Sequence, residues 1–305
     1  MTAARAIAPL AEPDPLAAAL RRDLPGFGAV DWTAQTGSTN ADLLGRTRRA
    51  APPPLPWLMG AHLQTGGRGR AGRAWHNQAG HCLMFSCAFF APVPLRQLPA
   101  LSPLAGLAAT EALRERAGPA RADLRVKWPN DLHFQGRKLA GILVETGRLN
   151  DSNATVVVIG MGLNLTQAGD LSAELARGIA DWSQICGQAG EATSTTPTVA
   201  PALASPSAVG SACAPTTEPA RLVAAVAQAW HDIISDCATA GFAGLRERYV
   251  ALDTLLGHEV NVTDQGALLF HGIAQDYDDD GRLLVRTATG VQAVSVGDVS
   301  VRLRG

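Results

Sequence analysis

The chain has 305 residues, 47% of them hydrophobic and 17% charged, which is a globular rather than a disordered balance and more than one ordinary domain. A formal net charge of -1 removes any global electrostatic drive toward nucleic acid or an anionic membrane, so a basic function has to be local. Cys82, Cys87, Cys186, Cys213 and Cys237 include no CxxC pair and are odd in number, which argues against both a zinc site and a disulfide framework.

At the amino end, residues 14–22 carry a short amphipathic helix pattern. Glu12-Pro13-Asp14-Pro15 interrupts the apolar run that an export signal needs, and no uncharged apolar stretch reaches the roughly 18 residues of a membrane span. The expected compartment is the cytoplasm, with residues 1–28 as an N-terminal extension. Ala29–Gln35 reads as a strand, and Ser38-Thr39-Asn40 supplies the cap of a helix running to about Arg49. Strand patterns follow at Trp57–Leu63, Cys82–Phe90, Leu124–Lys127, Lys138–Glu145 and Thr155–Leu163, with an apolar helix over Leu101–Arg116. This α+β order predicts a mixed sheet with flanking helices over 29–252. Residues 187–219 are rich in Ala, Ser, Thr and Pro, the composition of a solvated insertion. Helical patterns resume over Ala220–Ala240 and Phe242–Leu252. From 253 to 305 short strands alternate with turns at Asp264-Gln265-Gly266, Asp280-Gly281 and Thr289-Gly290, the pattern of a small all-β barrel.

Four glycines and three arginines crowd the segment Gly66–Ala74, between two strands. Glycine lets backbone N–H groups approach an anion, and arginine adds a permanent forked charge, so this loop suits phosphate or nucleic acid. It matches neither GxxxxGK[ST] nor GxGxxG entering a helix. Lys127-Trp128-Pro129-Asn130-Asp131 is a turn, because proline bars regular pairing. Its carboxylate can serve a magnesium ion on phosphates, or Asn130 and Asp131 can simply cap backbone groups. Lys138 opens an apolar strand, where burial calls for an anionic partner unless its ammonium reaches solvent, and Gly141 permits close backbone approach. Gly160–Asn164 closes another strand with small residues. His62, His76, His81 and His133 are scattered and read as surface or core-edge residues.

Taken in order, Gly37–Asn40, Gly67–Trp75, Lys127–Asp131, Lys138–Glu145 and Gly160–Asn164 resemble the biotin protein ligases, and Tyr249–Arg304 is similar to that family's SH3-like barrel. The resemblance implies ATP-dependent activation of biotin to biotinyl-5′-AMP, then transfer to one lysine of the biotin carboxyl carrier protein of acetyl-CoA carboxylase. It implies biotin contacts from Ser38, Thr39, Asn40, Gln64, Gly67, Arg68 and Gly141. Arg70, Arg73, Trp75, Asn130, Asn164 and Trp182 are implied for ATP and the adenylate, Lys138 and Arg70 for catalysis, and Asp131 for Mg2+. Residues 1–28 are too short for a winged helix-turn-helix, so the resemblance is to the monofunctional form, without specific DNA binding and as monomer or homodimer. The barrel follows every motif and is expected to serve transfer more than binding. A lipoate or octanoate ligase or transferase of the same fold is the alternative within enzymes, and a nucleic-acid-binding regulator the alternative outside them.

Overall fold

The structure is a computed structural model that describes residues 10–150, 152, 154–191, 218–297 and 299–304. Strands β1 (Ala29–Thr36), β2 (Trp57–Gln64), β3 (Cys82–Phe90), β4 (Leu124–Lys127), β5 (Asp131–Phe134), β6 (Arg137–Arg148) and β7 (Thr155–Asn164) form one sheet in the order β1-β2-β3-β7-β6-β5-β4. Only β1 and β2 pair in parallel, because helix α2 (Thr39–Arg46) carries the chain back between them; the other pairs are antiparallel. The sheet is therefore mixed, as its patterning indicates. The central strands are apolar without alternation, and helices cover both of their faces. Helices α3 (Leu101–Arg114) and α6 (Glu218–Ala240) pack together over the larger core, where Trp230 stacks on Phe85 at 5.4 Å and donates to the Ala105 carbonyl. Helix α2 closes a smaller cluster of Leu43, Trp57, Ala88, Val156 and Val158 on the other face.

Three local findings differ from the sequence expectations. Helix α1 (Pro13–Asp23) is built into the fold: Leu16, Ala17 and Leu20 are buried, and the helix packs on β1 and α6 rather than trailing as an overhang. Helices α4 (Ala168–Leu175) and α5 (Trp182–Glu191) occupy a stretch without a clear helical pattern, so residues 187–191 of the expected insertion are helical and 192–217 lie outside the described residues. The helix expected over Phe242–Leu252 begins as a 3-10 turn and becomes α7 (Arg246–Leu252).

Strands β8 (Glu259–Asp264), β9 (Ala267–Tyr277), β10 (Leu283–Thr287), β11 (Gly290–Val294) and β12 (Val299–Leu303) form an antiparallel sheet in the order β11-β10-β9-β8-β12. Gln265 and Gly266 both take positive φ, which fits the tight β8–β9 hairpin to the right-handed twist of its strands. This small sheet, the SH3-like unit, shares the main core. Tyr277 meets Tyr249 edge-on at 4.9 Å and donates to Asp253, while Trp128 donates to the Gly281 carbonyl. Among the described residues no helix is long and apolar enough to cross a membrane.

Candidate functional site

The expected motifs converge on one cavity of about 720 Å³ over the central strands β3, β7 and β6 of the mixed sheet. At one end, β2 delivers Gln64 and the first turn of α2 delivers Ser38, Thr39 and Asn40. Ser38 caps the helix, its Oγ accepting from the Ala41 amide at 3.4 Å. Gln64 Oε1 accepts from the Thr39 amide at 2.8 Å, and Asn77 braces the end of β2 by hydrogen bonds to both Gln64 backbone groups. Ser38, Thr39 and Asn40 are buried, Gln64 and Asn77 half-buried, and all are neutral, so this end suits an uncharged polar ligand group with several directed hydrogen bonds.

The glycine-arginine loop folds over the cavity as a narrow hairpin. Arg68 bridges Ala74, the Gly69 amide donates to the Arg73 carbonyl, and Ala71 and Gly72 turn the chain with positive φ. The Trp75 indole then lies on a floor made by Gly141 of β6 and Gly162 of β7, which pair across the sheet. A Cβ at Gly162 would meet that ring at 2.3 Å, so the floor exists because both positions lack side chains. Arg68 reaches Glu145 of β6 at 3.1 Å, and His76 reaches Glu174 of α4 at 3.3 Å. Arg70 donates to Asn130 and to the Gly297 and Val299 carbonyls, tying the loop to the small sheet.

The opposite end is cationic. Lys138 Nζ lies 2.6 Å from Asp131 Oδ1 and 5.6 Å from the Trp75 ring centroid, within reach of both a charge pair and a cation–π contact. Burial alone would raise the Asp131 carboxyl, but Lys138, by charge and hydrogen bond, together with Lys127 and His133 holds it below the usual carboxylate range. Lys127 is pulled down by burial and then by Lys138, Arg302 and Arg73, against the opposing effect of Asp131. Burial, reinforced by Lys127 and Lys138, lowers His133 to about 4 against the opposing pull of Asp131, so its ring is neutral near pH 7. Arg73, Arg177 and Arg302 complete this end, which suits a polyanion.

Most of the anticipated residues therefore border one space, including Ser38, Thr39, Asn40, Gln64, Arg68, Arg70, Arg73, Trp75, Asn130, Asp131, Lys138 and Gly141. Gly67 stands just behind the wall, its carbonyl accepting from the Trp75 amide. Two anticipated residues lie outside that wall. Trp182 is fully buried at the start of α5 and Asn164 is buried with its amide donating to the Ala180 carbonyl, so neither faces the cavity. The Trp182 indole packs in the core, and the Asn164 amide serves the chain turn before α5. The segment Leu175–Gly178 forms that wall instead. Ser86, Arg177, Ser300 and Arg302 were not anticipated. Ser86 is hidden in an apolar strand, and the other three carry no motif in their surroundings. Through the last two, β12 of the small sheet forms part of the cavity wall.

Comparison with known proteins agrees with this architecture. The model of the Biotin/lipoate A/B protein ligase family matches residues 32–164, and that of the Biotin protein ligase C terminal domain matches residues 255–302. A biotin--[acetyl-CoA-carboxylase] ligase of Mycobacterium tuberculosis is 33% identical over 93% of this chain and 94% of its own length. A second, from Paracoccus denitrificans, is 30% identical over 87% of this chain and 98% of its length. In fold, the chain is similar to the biotin protein ligase from Aquifex aeolicus solved in complex with biotin and ATP, with TM-score 0.66, 22% identity and coverage of 91% of this chain and 99% of that one. The fold and cavity thus define a protein ligase of the biotin and lipoate class. Within that class, the chain belongs to the biotin protein ligases.

Proposed function

We propose that this ligase condenses biotin with ATP to biotinyl-5′-AMP and pyrophosphate, then transfers biotin to a lysine of the carboxyl carrier protein of acetyl-CoA carboxylase. The observation that carries the reading is the polarity of this cavity: a neutral hydrogen-bonding end at Thr39 and Gln64, and a cationic end at Lys138, Lys127 and the arginines. Biotin has the matching asymmetry, a neutral ureido ring and a carboxylate tail. Attack of that carboxylate on the α-phosphorus brings two anions together, so the site must neutralise charge and align the reactants rather than supply a nucleophile. Lys138 would face both anions, Asn130 and Arg70 would hold the nucleotide side, and the hairpin under Trp75 would keep water from the mixed anhydride.

Asp131 is the one carboxylate among the described residues of the cavity wall, and no group of three metal-ligating side chains occurs among them. That donor set fits a magnesium ion carried in on nucleotide phosphates, with Asp131 as its protein ligand, and does not fit an ion caged by protein alone. Bound there, magnesium would supply neutralisation of phosphate charge. Biotin-dependent exchange of labelled pyrophosphate into ATP tests the first half-reaction, with lipoate and octanoate as comparators. Exchange driven by lipoate or octanoate and not by biotin would overturn the reading. Labelling of a carrier domain, lost when its acceptor lysine is replaced, tests the second half.

A further inference from the structure

A chain of short hydrogen bonds runs from the cavity into the sheet and ends on a carboxylate outside the cavity wall. Asn40 Nδ2 lies 2.8 Å from Glu145 Oε2 and 3.3 Å from the Leu143 carbonyl, both pure acceptors, so the amide orientation is forced and Oδ1 points away from them. Ser86 Oγ sits 2.6 Å from that Oδ1 and must donate to it. Its single proton is then committed. Thr39 Oγ1, also 2.6 Å from Ser86 Oγ, must in turn donate to Ser86, in preference to its longer contact with Gln64 at 3.3 Å. Space for this relay comes from Gly160, where a Cβ would stand 2.1 Å from Asn40 Oδ1.

We infer that Glu145 is a specificity-determining positioning residue: its charge sets the direction of the whole chain, so that Thr39 Oγ1 meets the ligand as a hydrogen-bond acceptor and selects an N–H group there. This rests on the reading above that the neutral end receives the ureido ring, whose N–H groups fit such an acceptor. Asn40 and Ser86 act as relays in this arrangement. A glutamine at 145 offers both a donor and an acceptor, which leaves only the longer 3.3 Å contact with the Leu143 carbonyl to resist reversal of the chain; in the reversed chain Thr39 presents its hydrogen to the cavity, where a ligand N–H is repelled. Arg68 also pairs with Glu145, and the test has to separate that contact from the relay.

Biotin affinity of the full-length enzyme decides the matter by calorimetry on Glu145→Gln, alone and combined with Ser86→Ala or Arg68→Ala. Glu145→Gln should weaken biotin about tenfold, the scale of one lost neutral hydrogen bond, with the KM for ATP within about twofold of the parent. That factor should persist in the Arg68→Ala background and disappear in the Ser86→Ala background, where the relay is already cut. Persistence with Ser86→Ala, disappearance with Arg68→Ala, or unchanged affinity in the single variant would overturn the inference. If Glu145→Gln fails to fold, Ser86→Ala alone must show the tenfold loss, and unaltered binding would refute the relay. Failure of the parent enzyme to bind biotin would sink the functional reading itself, a result distinguishable from parental binding that Glu145→Gln leaves intact.

Discussion

Lys138 combines two duties that a single pair of substitutions can pull apart. Its ammonium neutralises Asp131 at 2.6 Å, and in the proposed reaction it faces biotin's carboxylate and the α-phosphate. Replacing it with methionine keeps an apolar stem against Trp75 while removing the charge. Asp131 then loses its nearest partner, with its side chain only 23% exposed, and is left facing Lys127. A hydrogen bond to a charged group contributes about 1.5–3 kcal/mol, and the remaining lysine places the loss near the middle, about 2 kcal/mol. For a chain of this size that corresponds to a fall of about 3 °C in Tm. The adenylation step should slow by about 10²–10³-fold, the effect of removing one preorganised charge donor from a water-excluded site. Adding Asp131→Asn removes the stranded carboxylate and should return most of the lost Tm, but none of the lost rate. Thermal unfolding and single-turnover formation of the adenylate measure the two effects on the same proteins. A single variant within threefold of the parental rate, or a double variant that regains both, would refute the separation.

Three further outcomes are expected. His133 is lowered from 6.5 to about 4 in the folded state, so as pH falls the unfolded chain takes up that proton first; stability complete above 6.5 should decline down to about 4, by at most about 3 kcal/mol. His133→Leu should flatten that decline in urea titrations at stepped pH, while the contribution of Asp131, lowered below 3.8, is lost only at still lower pH. Gly162→Ala forces the Trp75 indole off its floor and should cost about 1–3 kcal/mol by thermal unfolding, with adenylation reduced; an unperturbed Tm would show that the ring yields freely. Arg70→Gly cuts the ties to Asn130 and the small sheet, so the hairpin should become more sensitive to trypsin at Arg68 and Arg73, and adenylate should escape and label bystander lysines. Full loss of activity with no such labelling would deny Arg70 a retaining role.

Apolar composition made the sheet legible. Cys82–Phe90 coincides with β3, because a strand buried on both faces reads as an uninterrupted apolar run bounded by turn residues, and Leu124–Lys127 coincides with β4, an edge strand in which buried Leu124 and Val126 alternate with Arg125 and Lys127. Helix α4 escaped because Gly169 and Asp170 weaken the pattern, and its flanks at Gln167 and Ala176 take left-handed conformations without the glycine that usually marks them. The cavity was legible where ligand-facing residues cluster in one segment, as at Gly66–Trp75. It was not legible where a lone side chain arrives from far along the chain. Arg302 looks like any arginine of an edge strand, and only the docking of the small sheet brings it beside Lys127. The burial of Trp182 was not legible for the converse reason, since an aromatic residue among polar neighbours does not disclose whether its ring turns inward.

The paired glycines under Trp75 also bear on how this sequence can drift. Gly141 and Gly162 face each other across β6 and β7, and one ring covers both. A methyl group at Gly162 collides with the ring at 2.3 Å and one at Gly141 crowds it at 3.0 Å, whereas a smaller residue at 75 leaves the slot between the strands open to water. Positions 75 and 162 are therefore inherited as one unit: a lineage that gives up Gly162 must shrink residue 75 in the same period, and one that keeps the indole keeps that glycine.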